Sequence, residues 1–253
     1  MKLLMFREGN ERRMGVIREG SSDEVVDVSK LAKGNGSSAS PADILALIES
    51  GEDGLKRLRE LVSSSSGSGD KSVVRKLKDL TLLSPLDPPR GNMLAIGRNY
   101  EKHAAESARA WNEQVKPPTV FTKAQTSITG PYDDIRIDPS ISDKIDWEVE
   151  LGVVVGKRGA NIKAADAMSH VFGYTVVNDI SARDIQNGWG GQFFKGKSLD
   201  ASSPVGPWVV TADEIPDVQN LRVSLRVNGQ IKQEGNTRDM INSVQQLIVW
   251  LSV

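Results

Sequence analysis

Asp146-Trp147-Glu148-Val149-Glu150-Leu151-Gly152, running on into Val153-Val154-Val155-Gly156, reads as a β-strand. Trp147, Val149 and Leu151 alternate with Glu148 and Glu150, and β-branched residues follow. In a strand, residues i and i+2 face the same way, roughly 6.6 Å apart. Two carboxylates so placed repel unless solvent or a cation intervenes. A hard divalent ion such as Mg²⁺ or Mn²⁺, taking one oxygen from each at roughly 2.1 Å, resolves that conflict. An edge strand with one wet acidic face has the same Glu-x-Glu pattern. The choice between them rests on what lies on either side.

The composition narrows the chemistry. With 253 residues, 38% of them hydrophobic and 26% charged, the chain can bury a sizeable core. Its 32 basic and 33 acidic residues are well mixed, which gives no reason to expect a nucleic-acid or anionic-membrane partner. There is no cysteine, so disulfides, thiolate metal sites and cysteine nucleophiles are excluded. The two histidines, His103 and His170, are too few for a zinc site built on several imidazoles. Any bound metal must take mostly oxygen ligands. No apolar run approaches transmembrane length, and Arg7-Glu8 follows too soon for a signal peptide, so a cytoplasmic protein is expected, or a mitochondrial one.

Upstream of the acidic strand, Lys2 to Phe6, Met14 to Arg18 and Glu24 to Val28 read as short strands. Pro41 to Val62 reads as helix with Ser40 as N-cap, broken near Gly51 and Gly54. The serine-rich run from Ser63 to Asp70 reads as a surface loop. A small N-terminal α/β domain is expected over residues 1–85, and a second domain over 86–253. Asn92 to Gly97 is predicted as a buried strand that turns into a helix capped by Asn99. On that helix His103 and Glu106 share a face, and a carboxylate beside an imidazole suits it to act as a general base. An exposed helix carrying an incidental pair reads the same way. Ile135 to Ile137 is predicted as a strand, Asn161 to His170 as a helix ended by Gly173, and His170 is given a structural role.

Phe172 to Val177 is a further predicted strand, and Asp179 beyond it brings a third carboxylate to the strand ends. Arg183 and Gln186 lie one helical turn apart, where arginine is a natural clamp for a substrate carboxylate. Asp179 as a cap residue with Arg183 as its surface partner is the alternative. Gly191 to Ser198 matches the P-loop pattern G-x4-G-K-S, yet two phenylalanines fill the loop and no helix can follow through Ser203-Pro204-Val205-Gly206-Pro207. The nucleotide reading is rejected, and Lys197 is kept as a cation beside a buried oxyanion. Val227-Asn228-Gly229-Gln230 is a hairpin turn, and Met240 to Leu251 an amphipathic core helix.

This ordered set resembles the fumarylacetoacetate hydrolase family. Gly97-Arg98-Asn99-Tyr100 with His103 and Glu106 looks like its active-site opening. Asp146 to Gly156, Asn178 to Gln186, Gly196-Lys197-Ser198 with Ser203 to Pro207, and Val227 to Gln230 with Gly235-Asn236-Thr237 resemble its later signatures. The likeness covers about residues 92–253 strongly and the N-terminal section weakly. It implies an α+β fold, a mixed β-sandwich roll with a small N-terminal domain, paired as a homodimer. It also implies Glu148, Glu150 and Asp179 as Mg²⁺ or Mn²⁺ ligands, His103 with Glu106 as a water-activating dyad, and Arg183, Gln186 and Lys197 as substrate contacts. The family continues into further strands and a Gly-Thr-Pro loop, whereas this sequence stops at Val253, so a C-terminally incomplete catalytic domain is expected.

The activity implied is metal-dependent cleavage of a C–C bond in a small 2,4-dioxo acid, an acylpyruvate, through a metal-stabilised enolate. The same enolate chemistry serves oxaloacetate decarboxylation or keto–enol tautomerisation. A third expectation is an inactive paralogue that binds small dicarboxylates or a full-length partner.

Overall fold

Leu3-Leu4-Met5-Phe6 is apolar at four consecutive positions, the pattern of a strand covered on both faces. In the computed structural model, which describes residues 1–34, 41–66, 71–100 and 119–253, this strand lies inside a large sheet. Leu3 and Met5 point one way, into a core closed by helices; Leu4 and Phe6 point the other way, against Val25, Leu82 and Trp208. All four are at most 1% exposed, and each such burial is worth about 1.5–3 kcal/mol.

The N-terminal elements are β1 (Lys2–Glu8), β2 (Glu11–Ile17), β3 (Glu24–Asp27), α1 (Val28–Gly34), α2 (Ile44–Glu49), α3 (Gly51–Ser66), β4 (Val74–Lys76) and β5 (Thr81–Leu83). There follow β6 (Met93–Gly97), β7 (Thr119–Lys123), β8 (Ile128–Thr129), β9 (Ile145–Asp146), β10 (Val149–Val155) and β11 (Val171–Asn178). The last are β12 (Ser181–Ala182), α4 (Arg183–Gly188), α5 (Phe194–Lys197), β13 (Ser203–Thr211), β14 (Arg222–Val227), β15 (Gln230–Asn236) and α6 (Val244–Leu251).

The main sheet runs β10-β11-β13-β1-β2-β3-β4, with β5 also on β1 and β8 on β13. Its pairings are antiparallel except that of β13 with β8, so the fold is α+β with a mixed sheet. Lys2 and Leu3 stand opposite Val210 and Val209, so the first strand of the chain is laced to a strand two hundred residues later. The N-terminal ammonium adds a 2.5 Å hydrogen bond to Thr211 Oγ1. One end of the sheet is β10, and it is this end that carries the acidic residues.

Several local expectations change. The helix expected from Pro41 starts at Ile44, capped by Asp43, whose Oδ1 accepts the Ala46 N–H at 2.7 Å; Ser40 lies outside the described residues. The second helix runs on to Ser66 where a loop was expected. The Ser63 and Ser64 hydroxyls donate back to the Arg59 and Leu61 carbonyls, which lets serines stay helical. Ile135 to Ile137 forms no strand, and the expected helix before His170 is a 3₁₀ segment, Ala164–His170. Gly173 sits within β11, where a Cβ would fall 2.3 Å from the Val210 carbonyl oxygen, so it permits β13 to approach. The last helix starts only at Val244, behind a capping box of Ser243 and Gln246. Asn92 to Gly97 forms a largely half-buried hairpin strand with β7 rather than a buried one.

Candidate metal and substrate site

The acidic stretch is two strands with a step between them. Ile145–Asp146 pairs with Ser181–Ala182, Trp147 and Glu148 leave the ladder, and Val149 rejoins it opposite Asn178. At the step the Glu148 N–H donates to Asn178 Oδ1 at 3.2 Å, and the Asp179 N–H donates to the Glu148 carbonyl at 2.7 Å. Backbone pairing therefore sets Glu148 against Asp179. Leu151 and Val153 pack on the cluster of Val171, Tyr174 and Val244. Glu148, Glu150 and Asp179 open into one cavity of about 810 Å³, together with Lys123, Arg183, Gln186 and Lys197.

Three cations hold two of the carboxylates. Lys197, 2% exposed at the end of the one-turn helix α5, donates to Glu148 Oε2 at 2.6 Å and to Asp179 Oδ2 at 2.9 Å. Gly196 makes that turn possible, since a Cβ there would lie 2.5 Å from the Gln186 amide nitrogen. Lys123, 1% exposed at the end of β7, donates to Asp179 Oδ1 at 2.6 Å and to the Ile180 carbonyl at 3.2 Å. Burial lowers the Lys123 pKa and Lys197 adds to this, against the opposing pull of Asp179. Arg183, from α4, reaches Asp146 Oδ2 at 2.7 Å and Glu148 Oε1 at 2.6 Å, and its Nη1 donates to Gln186 Oε1 at 3.0 Å.

Glu150 is the exception. Among the described residues no hydrogen bond or ion pair reaches its carboxylate, while Asp146, Glu148 and Asp179 share the three cations. Burial, with Glu148 and Asp179 close by, pushes its pKa up to about 8 despite Lys197. Tyr100, which also lines the cavity, is pushed up to about 12 by burial and then by Glu150 and Asp239.

A divalent ion fits this donor set in chemistry. The donors are hard oxygens, as Mg²⁺ and Mn²⁺ prefer, and among the described residues Glu150 is left without a cation once Asp146, Glu148 and Asp179 have shared Lys123, Arg183 and Lys197. The carboxylates are not gathered around one point, for among the described residues no three metal-binding side chains are grouped closely enough to hold an ion. The physical reason is visible. Lys197 spans Glu148 and Asp179 and takes the oxygens an ion would use.

The structure thus brings together Glu148, Glu150, Asp179, Arg183, Gln186 and Lys197 of the residues expected from sequence. His103 and Glu106 lie outside the described residues. His170 is 7% exposed and its Nδ1 lies 2.9 Å from the Lys157 carbonyl oxygen, away from the acidic cluster. The helix that Asn99 was expected to cap lies outside the described residues; the Asn99 side chain accepts from the Asn242 N–H and donates to the Asn242 carbonyl, both at 2.9 Å. Sequence reasoning missed Lys123 and the pairing of Asp146 with Arg183. A signal for Lys123 existed, because in Thr119-Val120-Phe121-Thr122-Lys123 the lysine shares a strand face with Phe121, and a lysine ending an apolar strand needs a buried partner.

Residues 92–253 match the family model described as fumarylacetoacetate (FAA) hydrolase C-terminal. The oxaloacetate tautomerase FAHD2A of Bos taurus, a mitochondrial protein, is 40% identical over 214 residues, covering 84% of this chain and 64% of its own length. This chain thus spans less than two thirds of that relative. Among solved structures, a fumarylacetoacetate hydrolase from Exiguobacterium antarcticum superposes with a TM-score of 0.77 at 32% identity, over 100% of this chain and 81% of its own. A maleylpyruvate hydrolase from Sphingobium sp. SYK-6, in complex with manganese(II) and pyruvate, gives a TM-score of 0.73 at 26% identity, over 100% and 83% of the two chains.

Proposed function

The chain belongs to the fumarylacetoacetate hydrolase family, and from that premise we propose that it is a metal-dependent tautomerase of a small 2-oxo dicarboxylate such as oxaloacetate. One observation supports this above the others: buried carboxylates and cations face one cavity with a single carboxylate, Glu150, left unmatched. Glu148, Glu150 and Asp179 are the proposed ligands of Mg²⁺ or Mn²⁺. The ion, when bound, supplies Lewis-acid polarisation to a 2-oxo group held beside it.

The rest of the chemistry falls to the chain. Arg183 and Gln186, already bonded to each other, present a planar donor and a neutral amide to a substrate carboxylate. Keto-to-enol conversion takes a proton from C3; the C–H electrons form the C2–C3 double bond and charge builds on the C2 oxygen. The Lys197 ammonium is fixed at the cluster where that charge develops. Lys123 keeps Asp179 oriented from its far side. His103 with Glu106 is the proposed proton carrier.

The test follows the decay of enol-oxaloacetate, with Mn²⁺ and then with EDTA. Acceleration that EDTA removes and Mn²⁺ restores is expected; acceleration indifferent to EDTA overturns the proposal. A second reading, hydrolysis of a C–C bond in a 2,4-dioxo acid, draws on the likeness to the maleylpyruvate hydrolase. Pyruvate release from acylpyruvates, absent in His103→Ala while tautomerisation persists, would favour it as an added activity. No helix among the described residues is long and apolar enough to cross a membrane.

A further inference from the structure

β10 ends the main sheet, so among the described residues no strand is hydrogen-bonded to its outer side. The Glu148 carbonyl accepts the Asp179 N–H, so residue 148 turns its backbone toward β11. Backbone groups alternate along an antiparallel strand, and those of Val149 therefore turn outward to the open edge. They are nevertheless both satisfied. Gln233 Oε1 accepts the Val149 N–H at 2.7 Å, and Gln233 Nε2 donates to the Val149 carbonyl at 3.2 Å. One amide side chain reproduces a rung of a β-ladder at the residue between Glu148 and Glu150.

The hairpin that bears Gln233 is shaped for this. Asn228 and Gly229, at φ 49° and 78°, close the two-residue turn that fixes the register of β14 and β15. Arg226 stands opposite Ile231 and Leu225 opposite Gln233, so Lys232 is an extra residue, a β-bulge. A bulge re-aims the side chains beyond it. Here it sets Gln233 opposite Leu225, on the half-buried face of the hairpin rather than on the exposed face that carries Arg222, Ser224 and Glu234.

We propose that Gln233 is a positioning residue: its amide clamps Val149 so that Glu148 and Glu150 are presented together to the cavity. This rests on the metal reading above and assigns the hairpin a role in it. Glu148 lies outside the ladder, where a free peptide could rotate; the inner edge pins it through Asn178 and Asp179, and Gln233 pins the outer edge.

The experiment compares wild type, Gln233→Met and Val223→Ala in the metal-free full chain. The methionine keeps the volume of Gln233 but neither hydrogen bond, and Val223→Ala weakens the same hairpin while leaving the Gln233 amide in place. Mn²⁺ affinity by calorimetry and hydrogen exchange at the Val149 amide are both read. Gln233→Met is expected to weaken Mn²⁺ binding about tenfold or more and to speed exchange at Val149, as loss of a group that orients a metal ligand does. Val223→Ala should do neither. Unchanged affinity despite a deprotected Val149, or equal weakening in Val223→Ala, overturns the proposal. If Gln233→Met does not fold, Gln233→Ala, which leaves room for water at Val149, takes its place with the same criteria. Failure of wild type to bind Mn²⁺ at all sinks the metal reading itself, and is seen before any variant is made.

Discussion

Among the described residues, two clusters form around buried charge, and they are resolved differently. Near the N-terminus, Asp27 is fully buried, yet Arg13 meets its Oδ2 at 2.7 Å and the Lys30 N–H meets its Oδ1 at 3.0 Å. Glu8 and Glu11 complete the group with Arg13, Lys30 and Arg75, so three carboxylates face three cations. Burial acts upward on Glu8, but Lys30, Arg13 and Arg75 outweigh it and hold its pKa below the usual value. At the other cluster, among the described residues, Asp146, Glu148, Glu150 and Asp179 face three cations, and burial together with Glu148 and Asp179 outweighs Lys197 and leaves Glu150 at about 8. A buried carboxylate matched by a cation, as Asp27 is by Arg13, reads as architecture. A buried carboxylate left without one marks a candidate functional site.

The sharpest way to break this comparison is to remove a cation from each cluster. Lys197→Met is expected to lower turnover by about 10²–10³-fold, the scale seen when a group stabilising developing charge is lost. Rates of the proposed tautomerisation at saturating Mn²⁺ measure it, and a loss smaller than tenfold would take Lys197 out of the chemistry. Arg13→Met should instead cost about 3 kcal/mol in urea unfolding, because Asp27 is left as an uncompensated buried charge. Turnover per folded molecule should not change. If Arg13→Met lowers turnover and leaves stability intact, the two clusters have been assigned the wrong way round.

A finer test uses the unmatched carboxylate itself. Glu150 has a folded pKa raised above its unfolded value, so in the metal-free protein the folded state keeps a proton that the unfolded state releases. Stability from this group is fully present below about 4.5 and is lost as pH rises towards about 8. In EDTA, Glu150→Gln should therefore be more stable than wild type by about 1 kcal/mol or more at pH 8, the gain vanishing near pH 4.5. Denaturant melts across that range measure it, and a destabilised Glu150→Gln would mean the carboxylate has a partner. The same substitution should weaken Mn²⁺ binding, so stability and function move in opposite directions.

Much of this could be read from the chain before folding. Lys2 to Phe6 announced a short strand, Asn228-Gly229 a hairpin, and the Glu-x-Glu alternation two carboxylates on one strand face. Those signals are local, set by period and turn chemistry. The step at Trp147-Glu148 was hidden, because alternation continues through it while the hydrogen bonds switch partner from β12 to β11. The partner of Lys123 was hidden because it is 56 residues away, and Gln233 because a bulge, which leaves no mark in the pattern, decides its direction. The bond between Asn99 and Asn242, 143 residues on, had no local signal either. Long-range polar pairing was the missing information throughout.

The smallest effect bears on what makes either cluster matter. Arg222 bonds Glu234 across the β14–β15 hairpin at 2.6 Å, as short as any contact in the buried site, but the two side chains are 63% and 50% exposed. Water screens that pair, and holding two long side chains in one geometry costs entropy. Arg222→Ala should therefore change unfolding free energy by no more than about 0.5 kcal/mol and leave Mn²⁺ affinity unaltered, although it lies on the same hairpin as Gln233. Urea melts and Mn²⁺ titration measure both quantities on one sample. A loss comparable to that of Arg13→Met would mean that contact distance governs these ion pairs; near silence would mean that burial does.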